Sequence, residues 1–296
     1  MTLHVLLGPT AVGKTELALR MAETLGCPIL NCDSRQIYRG MEIGTAAPTA
    51  AQLRRVRHYF VGIRDIGSYY SAAQYEQDVL SLIGDLAGRH QALLLTGGSM
   101  LYLDAVLFGI DDIPPVDPEV RETLRARLAD GKIGEMRDEL RLLDPDYYLS
   151  ADTRNPKRVV HALEVCYTTG RPYSSYLTKE RKPRPFDIVK IGLKRERSEL
   201  FDRINRRVDS MMAEGLLDEA RRLYPLRGEN ALNTVGYKEL FRYLDGEWTL
   251  PFAVEKIKKN TRDYAKKQMT WFAHDDSIHW FHPDQADDIL QTLKQA

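Results

Sequence analysis

Three features of this 296-residue sequence predict an α/β fold, a parallel sheet covered by helices and interrupted by a small all-helical domain. Apolar, β-rich runs alternate with helical patterns through the first hundred residues. A glycine turn joins the first run to the first helix. From about 112 to 182 the strand-like runs stop, between two breaks rich in proline and charge. Such alternation marks βαβ units, whose crossovers make the strands parallel and place helices on both faces.

The elements follow in order. "LHVLLG" reads as the first strand and residues 14–25 as the first helix; "CPILNCD" is a second strand, followed by a short helix. "HYFVGI" is a third strand, residues 72–88 a helix, and "ALLLTGG" a fourth strand. "GIDDIPPVDPEV" opens the helical insertion and "TKERKPRPFD" closes it, so residues 1–111 and 183–296 form one discontinuous core around an insertion at 112–182. "FDIVKIGLK" adds a late strand, after which the pattern is helical again and includes the basic stretch "EKIKKNTRDYAKKQMTWFAHD". "IHWFH" reads as a strand edge. Its His279 and His282 have no nearby Cys, so no zinc site is expected.

Composition narrows the function. With 43% hydrophobic residues the chain can bury a sizeable core. No apolar run approaches the roughly 18 residues of a membrane span, and the N-terminus lacks a basic flank and cleavage site. A cytoplasmic protein is expected, with no membrane partner. Cys27, Cys32 and Cys166 are too few and too scattered for a disulfide framework or a CxxC metal pair. Formal net charge is zero, yet residues 151–270 hold 26 Lys and Arg against 17 Asp and Glu, a net +9, and the remainder is −9. Such asymmetry can steer a polyanion to one face, although lysine-rich solvated helices give the same count.

The chemistry begins at Gly8, Pro9, Thr10, Ala11, Val12, Gly13, Lys14 and Thr15, which fit GxxxxGK[ST] in full. Glycines let the backbone curl so that N–H groups point inward; Lys14 supplies a cation, and Thr15 can hold Mg²⁺ through its hydroxyl. The fold is therefore of the P-loop NTPase type, and a di- or triphosphate binds at the loop. ATP or GTP is the usual inference. However, the strand expected to end in a magnesium-binding Asp ends instead in Thr96, Gly97, Gly98 and Ser99, and no "NKxD" stretch is present. The available acid is Asp33, at the carboxyl end of the second strand, where ligand crevices of open α/β sheets lie. Its plainer role would be to cap the short helix expected to follow.

Taken in order, "GPTAVGKT", "DSRQIYRGMEIGTAAP", "YSAAQY", "GGSMLY", "DPEVR", "NPKRVVHALEV" and "NTVGYKEL" resemble the tRNA dimethylallyltransferases, from about Leu3 to Trp271. The resemblance implies that the loop grips the diphosphate of dimethylallyl diphosphate and that the acceptor is the exocyclic amine of the adenosine beside the anticodon of tRNA. It implies catalytic roles for Asp33 as base, Ser99 and Arg207, with Mg²⁺ held partly by Thr15. Arg203 and Arg206 remain alternatives to Arg207 as the diphosphate-contacting arginine. Ser99 stands where the family usually has threonine. The resemblance also assigns tRNA contacts to Asp33, Ser34, Arg35, Gln36, Ser99 and Arg121, and to Lys157, Arg158, Val159, Val160 and His161. His161 often has arginine as its counterpart. "NTVGY", Asn233 to Tyr237, and the basic helix with Lys256, Lys258, Lys259, Arg262, Lys266 and Lys267 would extend the tRNA surface. A monomer is expected. Two competing readings keep part of this pattern: a small-molecule kinase with Asp33 activating an acceptor hydroxyl, and a tRNA-binding module with a relict loop. The first leaves the basic segments unexplained; the second leaves Lys14, Thr15 and Asp33 without a role.

Overall fold

The computed structural model describes residues 1–178 and 180–293 and resolves into two units, Met1–Phe108 with Pro183–Ala296, and Gly109–Lys182. In the first unit, β1 (Thr2–Leu7) carries Leu3, Val5 and Leu6 with no exposure at all, as a strand covered on both faces must. The loop ends where α1 (Lys14–Leu25) begins; Leu17, Ala18, Met21 and Ala22 turn inward, and Gly26 stops the helix at φ 61°. β2 (Ile29–Cys32), the short α2 (Glu42–Thr45) and α3 (Ala50–Arg55) lead to β3 (His58–Tyr59). Of "HYFVGI" only two residues join the sheet, because Phe60 at φ 63° and Gly62 at φ 58° turn the chain away.

Helix α4 (Ala72–Ala87) explains the stretch "YSAAQY". The Ser71 hydroxyl accepts the Gln74 N–H and the Gln74 side chain accepts the Ser71 N–H, a reciprocal cap that satisfies two orphan donors. That segment builds the fold. β4 (Ala92–Gly97) and α5 (Met100–Phe108) complete the first half.

The helical unit contains α6 (Pro118–Ala129), α7 (Ile133–Leu143), α8 (Pro145–Ser150) and α9 (Pro156–Thr169) around Leu124, Met136, Leu140, Val159 and Leu163. Three of these helices start with an Asx-Pro pair: Asp117, Asp144 and Asn155 cap, and the following proline takes the first helical position, where a missing N–H costs nothing. Asp144 is fully buried and also accepts from the Ser174 N–H and hydroxyl, both at 2.6 Å. The unit holds 13 Lys and Arg against 14 Asp and Glu. The basic excess that begins at residue 151 is therefore offset within the insertion by acids earlier in the same unit.

The chain re-enters the first unit at Arg184, whose guanidinium pairs with Glu76 of α4 at 2.6 Å and donates to the Ala105 and Val106 carbonyls, all out of water. β5 (Asp187–Leu193) pairs with β1 along its length, then α10 (Arg197–Ala213), α11 (Leu216–Leu223), α12 (Tyr237–Leu244) and the long α13 (Leu250–Phe272) follow. β6 (Ile278–Phe281) closes the sheet on β5 and α14 (Ala286–Leu293) ends it. The sheet is wholly parallel in the order β3-β2-β4-β1-β5-β6. All carboxyl ends thus open at one edge. No helix of the described residues is long and apolar enough to cross a membrane.

Candidate active site

At that edge the loop after β1, the turn after β2 and the turn after β4 enclose a cavity of about 620 Å³, joined by α10 and α13. Parallel strands place successive loops side by side at their carboxyl ends, so segments distant in sequence meet there.

Of the eight loop residues, Thr10, Ala11, Gly13, Lys14 and Thr15 line the cavity. Gly8, Pro9 and Val12 shape the loop instead. Gly8, at φ 145°, passes so close to β5 that a Cβ would lie 2.7 Å from the Leu193 carbonyl oxygen. Val12 is fully buried, and its carbonyl accepts from Arg195 at 2.9 Å, which braces the loop from behind. The Lys14 ammonium donates to the Gly8 and Pro9 carbonyls at 2.8 and 2.9 Å. Its pKa falls to about 7, first because it is withdrawn from water and then because Arg207 is near, against the opposing pull of Asp33. The Thr10 N–H is committed to Gln268, and the first-turn N–H groups of α1 lack intrahelical acceptors.

Asp33 lines the same cavity. Its Oδ1 accepts from the Arg35 and Gln36 N–H groups at 2.8 and 3.2 Å; these bonds close a turn rather than start the short helix expected there, and they hold the carboxylate in place. The β2 and β4 ends touch: a Cβ on Gly97 would lie 1.9 Å from the Cys32 carbonyl oxygen, so only glycine fits. Ser99 is buried; its hydroxyl accepts the Ser34 N–H at 2.8 Å and lies 3.1 Å from the Ser34 hydroxyl, to which it donates. Arg35 is committed through its guanidinium to the Asn230 and Ala231 carbonyls, whereas Gln36 reaches the cavity and donates to Thr45 and Ala46 carbonyls.

Helix α10 presents Arg203, Arg206 and Arg207 to the cavity. Arg203 is spent on the Ala11 carbonyl at 2.9 Å. Arg207 makes no hydrogen bond to another described residue; burial depresses its pKa most, Asp33 opposes that, and Arg203 adds to it. A half-buried guanidinium beside Lys14 is the arrangement that a dense anionic charge would relieve.

The IPP transferase family model matches residues 36–275. The chain belongs to the IPP transferase family. It is 58% identical over 293 residues to a tRNA dimethylallyltransferase 1 of Bacteroides thetaiotaomicron, spanning 99% of this chain and 95% of that protein. The full-length tRNA isopentenylpyrophosphate transferase of Bacillus halodurans aligns at a TM-score of 0.72 and 35% identity, over 99% of this chain and 96% of that one. A eukaryotic dimethylallyltransferase acting on tRNA aligns at a TM-score of 0.73 and 26% identity, over 92% of this chain and 69% of that one.

In this IPP transferase family member the helical unit sorts its sequence-predicted residues by burial. Val159 and Val160 point into the unit's core, so neither valine side chain offers a surface to RNA. Lys157 and Arg158 are exposed. Arg121 and His161 both lie 3.4 Å from the buried Glu164. Burial opposes the charge on Glu164, but these two partners outweigh it and hold its carboxyl below the ordinary value. In the α/β unit, Tyr237 is fully buried and donates to Glu219, which corrects its expected place on an RNA surface. Lys258, Lys259 and Lys266 of α13 are paired with acids and Arg262 bonds Asn205, which reduces the basic surface expected there.

Tyr264 and Gln268 line the cavity and were not singled out in the sequence. Their spacing of four places them on one helical face, a signal hidden among lysines. Burial and then Asp33 push the Tyr264 hydroxyl up to about 12, so it stays a donor, to the Gly98 carbonyl at 3.2 Å.

Proposed function

We infer that this chain transfers a dimethylallyl group from dimethylallyl diphosphate to the N6 amine of the adenosine 3′-adjacent to the anticodon, position 37 of tRNA, releasing diphosphate. The observation that carries the reading is one cavity lined both by a phosphate loop, with the half-buried Lys14 and Arg207 beside it, and by a carboxylate, Asp33, that is fixed by backbone donors.

The adenine amine is a weak nucleophile because its lone pair is delocalised into the ring. As the nitrogen bonds to the allylic carbon, the C–O bond to diphosphate breaks and Asp33 takes the amine proton. Among the described residues Oδ1 holds both backbone N–H groups, which leaves Oδ2 for that proton. Negative charge develops on the departing diphosphate, where Lys14, Arg207 and the first-turn N–H groups of α1 stabilise it. Mg²⁺, when bound, neutralises phosphate charge. The donors fit an ion brought by the substrate rather than a protein cage: the Thr15 hydroxyl lines the cavity, and the described residues contain no cluster of three metal-ligating side chains. The acceptor base must leave its stack to reach an enclosed site. Asp33 and Gln36 at the cavity, Ser34 and Ser99 in the turns behind it, and Arg121, Lys157, Arg158 and His161 on the helical unit, are the proposed contacts to the anticodon stem-loop.

The test is incubation of the chain with labelled dimethylallyl diphosphate and unmodified tRNA, beside parallel reactions with ATP and small hydroxyl acceptors. Label on adenosine is the expected result. Phosphoryl transfer from ATP to an acceptor, with unlabelled tRNA, overturns the reading in favour of a kinase.

A further inference from the structure

Transfer between two bound substrates requires two subsites at a fixed separation, a cradle for the leaving diphosphate and a seat for the acceptor amine. One side chain bonds to the walls of both. Gln268 of α13 is 1% exposed. Its Oε1 accepts the Thr10 N–H of the phosphate loop at 2.9 Å, and its Nε2 donates to the Gly98 carbonyl at 2.8 Å. Gly98 lies between Gly97, which abuts Cys32, and Ser99, whose hydroxyl accepts the Ser34 N–H next to Asp33. The Gln268 carboxamide therefore joins the loop after β1 to the turn after β4, and that turn is itself tied to Asp33's segment.

Neither end of this amide can be exchanged. Reversed, it would set its NH₂ against the Thr10 N–H and its oxygen against the Gly98 carbonyl, leaving two buried main-chain groups without partners. Position 98 accommodates it only as glycine, since a Cβ there would lie 2.5 Å from Nε2. One helical turn earlier, the Tyr264 hydroxyl reaches the same Gly98 oxygen. Two side chains on one face of α13 thus converge on a single carbonyl of the acceptor wall, and one of them extends on to the donor wall.

We propose that Gln268 is a positioning residue that locks the phosphate loop to the Gly97–Ser99 turn and so sets the gap the allylic carbon crosses between diphosphate oxygen and adenine nitrogen. The proposal rests on the transfer reaction inferred above. Each subsite retains its own binding groups without this bridge: Lys14 and Arg207 for the diphosphate, Asp33 and Gln36 on the acceptor side. Losing the bridge should therefore impair the step that needs both at once. A misplacement near 1 Å can cost about a hundredfold in rate.

The experiment compares steady-state kinetics and thermal stability of the wild-type chain with Gln268→Met, Gln268→Asn and Tyr264→Phe. Gln268→Met keeps the volume and removes both bonds; Gln268→Asn keeps the amide but is one methylene too short to span both partners. Both should lower kcat by about 10- to 100-fold while KM for each substrate changes by less than about threefold. Tyr264→Phe, with the bridge intact, should lower kcat by only about two- to fivefold. A glutamine that merely supported the fold would lower Tm and leave the kcat of the folded enzyme unchanged, and that result overturns the proposal, as does a loss confined to KM. If both Gln268 variants fail to fold, Gln268→Glu, which can still accept from the Thr10 N–H but no longer donates to the Gly98 carbonyl, takes their place, and wild-type kcat there overturns the proposal. A wild-type chain that transfers no label removes the parent reading; a competent wild type matched by its variants removes only this one.

Discussion

The cations at the sheet edge and those on the helical unit differ in one physical respect, their access to water. Lys14 and Arg207 are half-buried in the cavity wall, and burial pulls both toward neutrality until Asp33 partly restores them. Lys157 and Arg158 are exposed on the first turn of α9. A partly desolvated charge is costly to hold but acts through a lower dielectric, whereas an exposed one is screened by salt beyond about 8–10 Å. Rate should therefore reside in the first group, and salt-dependent affinity in the second. The total charge of the helical unit, 13 bases against 14 acids, teaches the same lesson: an RNA-facing surface depends on which cations are exposed, not on their sum.

The most severe test is Asp33→Ala, which should cost roughly 10²- to 10⁴-fold in kcat with tRNA affinity nearly unchanged. Single-turnover transfer and filter binding measure the two separately. Weakened tRNA binding with the saturated rate unchanged would place Asp33 in binding alone. Next, Arg207→Ala should lower kcat by roughly 10²-fold, as removal of one donor to a developing anion does, with a salt dependence of tRNA binding identical to wild type. Should Arg203→Ala cost more, the diphosphate contact lies there instead.

Lys14 sharpens the contrast through pH. Its ammonium is charged below a pKa of about 7 and loses its proton above it, and a diphosphate prefers the charged form. Affinity for dimethylallyl diphosphate should therefore fall as pH rises from 7 to 9, by on the order of tenfold, and Lys14→Met should abolish that dependence. Calorimetric titration across this range decides it; an identical slope in the variant assigns the titration to another group. The smallest effect is expected from Arg158→Ala: tRNA binding weakened a few-fold, kcat at saturation unchanged, and the slope of log affinity against log salt reduced by about one. An unaltered slope removes Arg158 from the interface.

Local sequence carried much of this molecule. The phosphate loop was readable because its donors lie within eight consecutive residues, between a strand and a helix whose patterns are themselves local. The strands β1, β2, β4 and β5 follow apolar runs that only a sheet covered on both faces explains. Asp33 was readable from its place at a strand end. Other positions misled or stayed hidden. Val159, Val160 and Tyr237 sit in stretches expected from the sequence to face RNA, yet their side chains fill cores. "HYFVGI" looks like a full strand, but positive φ at Phe60 ends it after Tyr59.

The sequence by itself determined the order of strands and helices, the phosphate loop and the acid available beside it, because each depends on residues near one another along the chain. Only the tertiary structure decided that Arg203 is committed to the Ala11 carbonyl, which cations meet water, and that Gln268, 258 residues from Thr10, spans two walls of one cavity. Those outcomes depend on burial and on hydrogen-bond partners brought together by packing, and neither quantity is written in the spacing of residues.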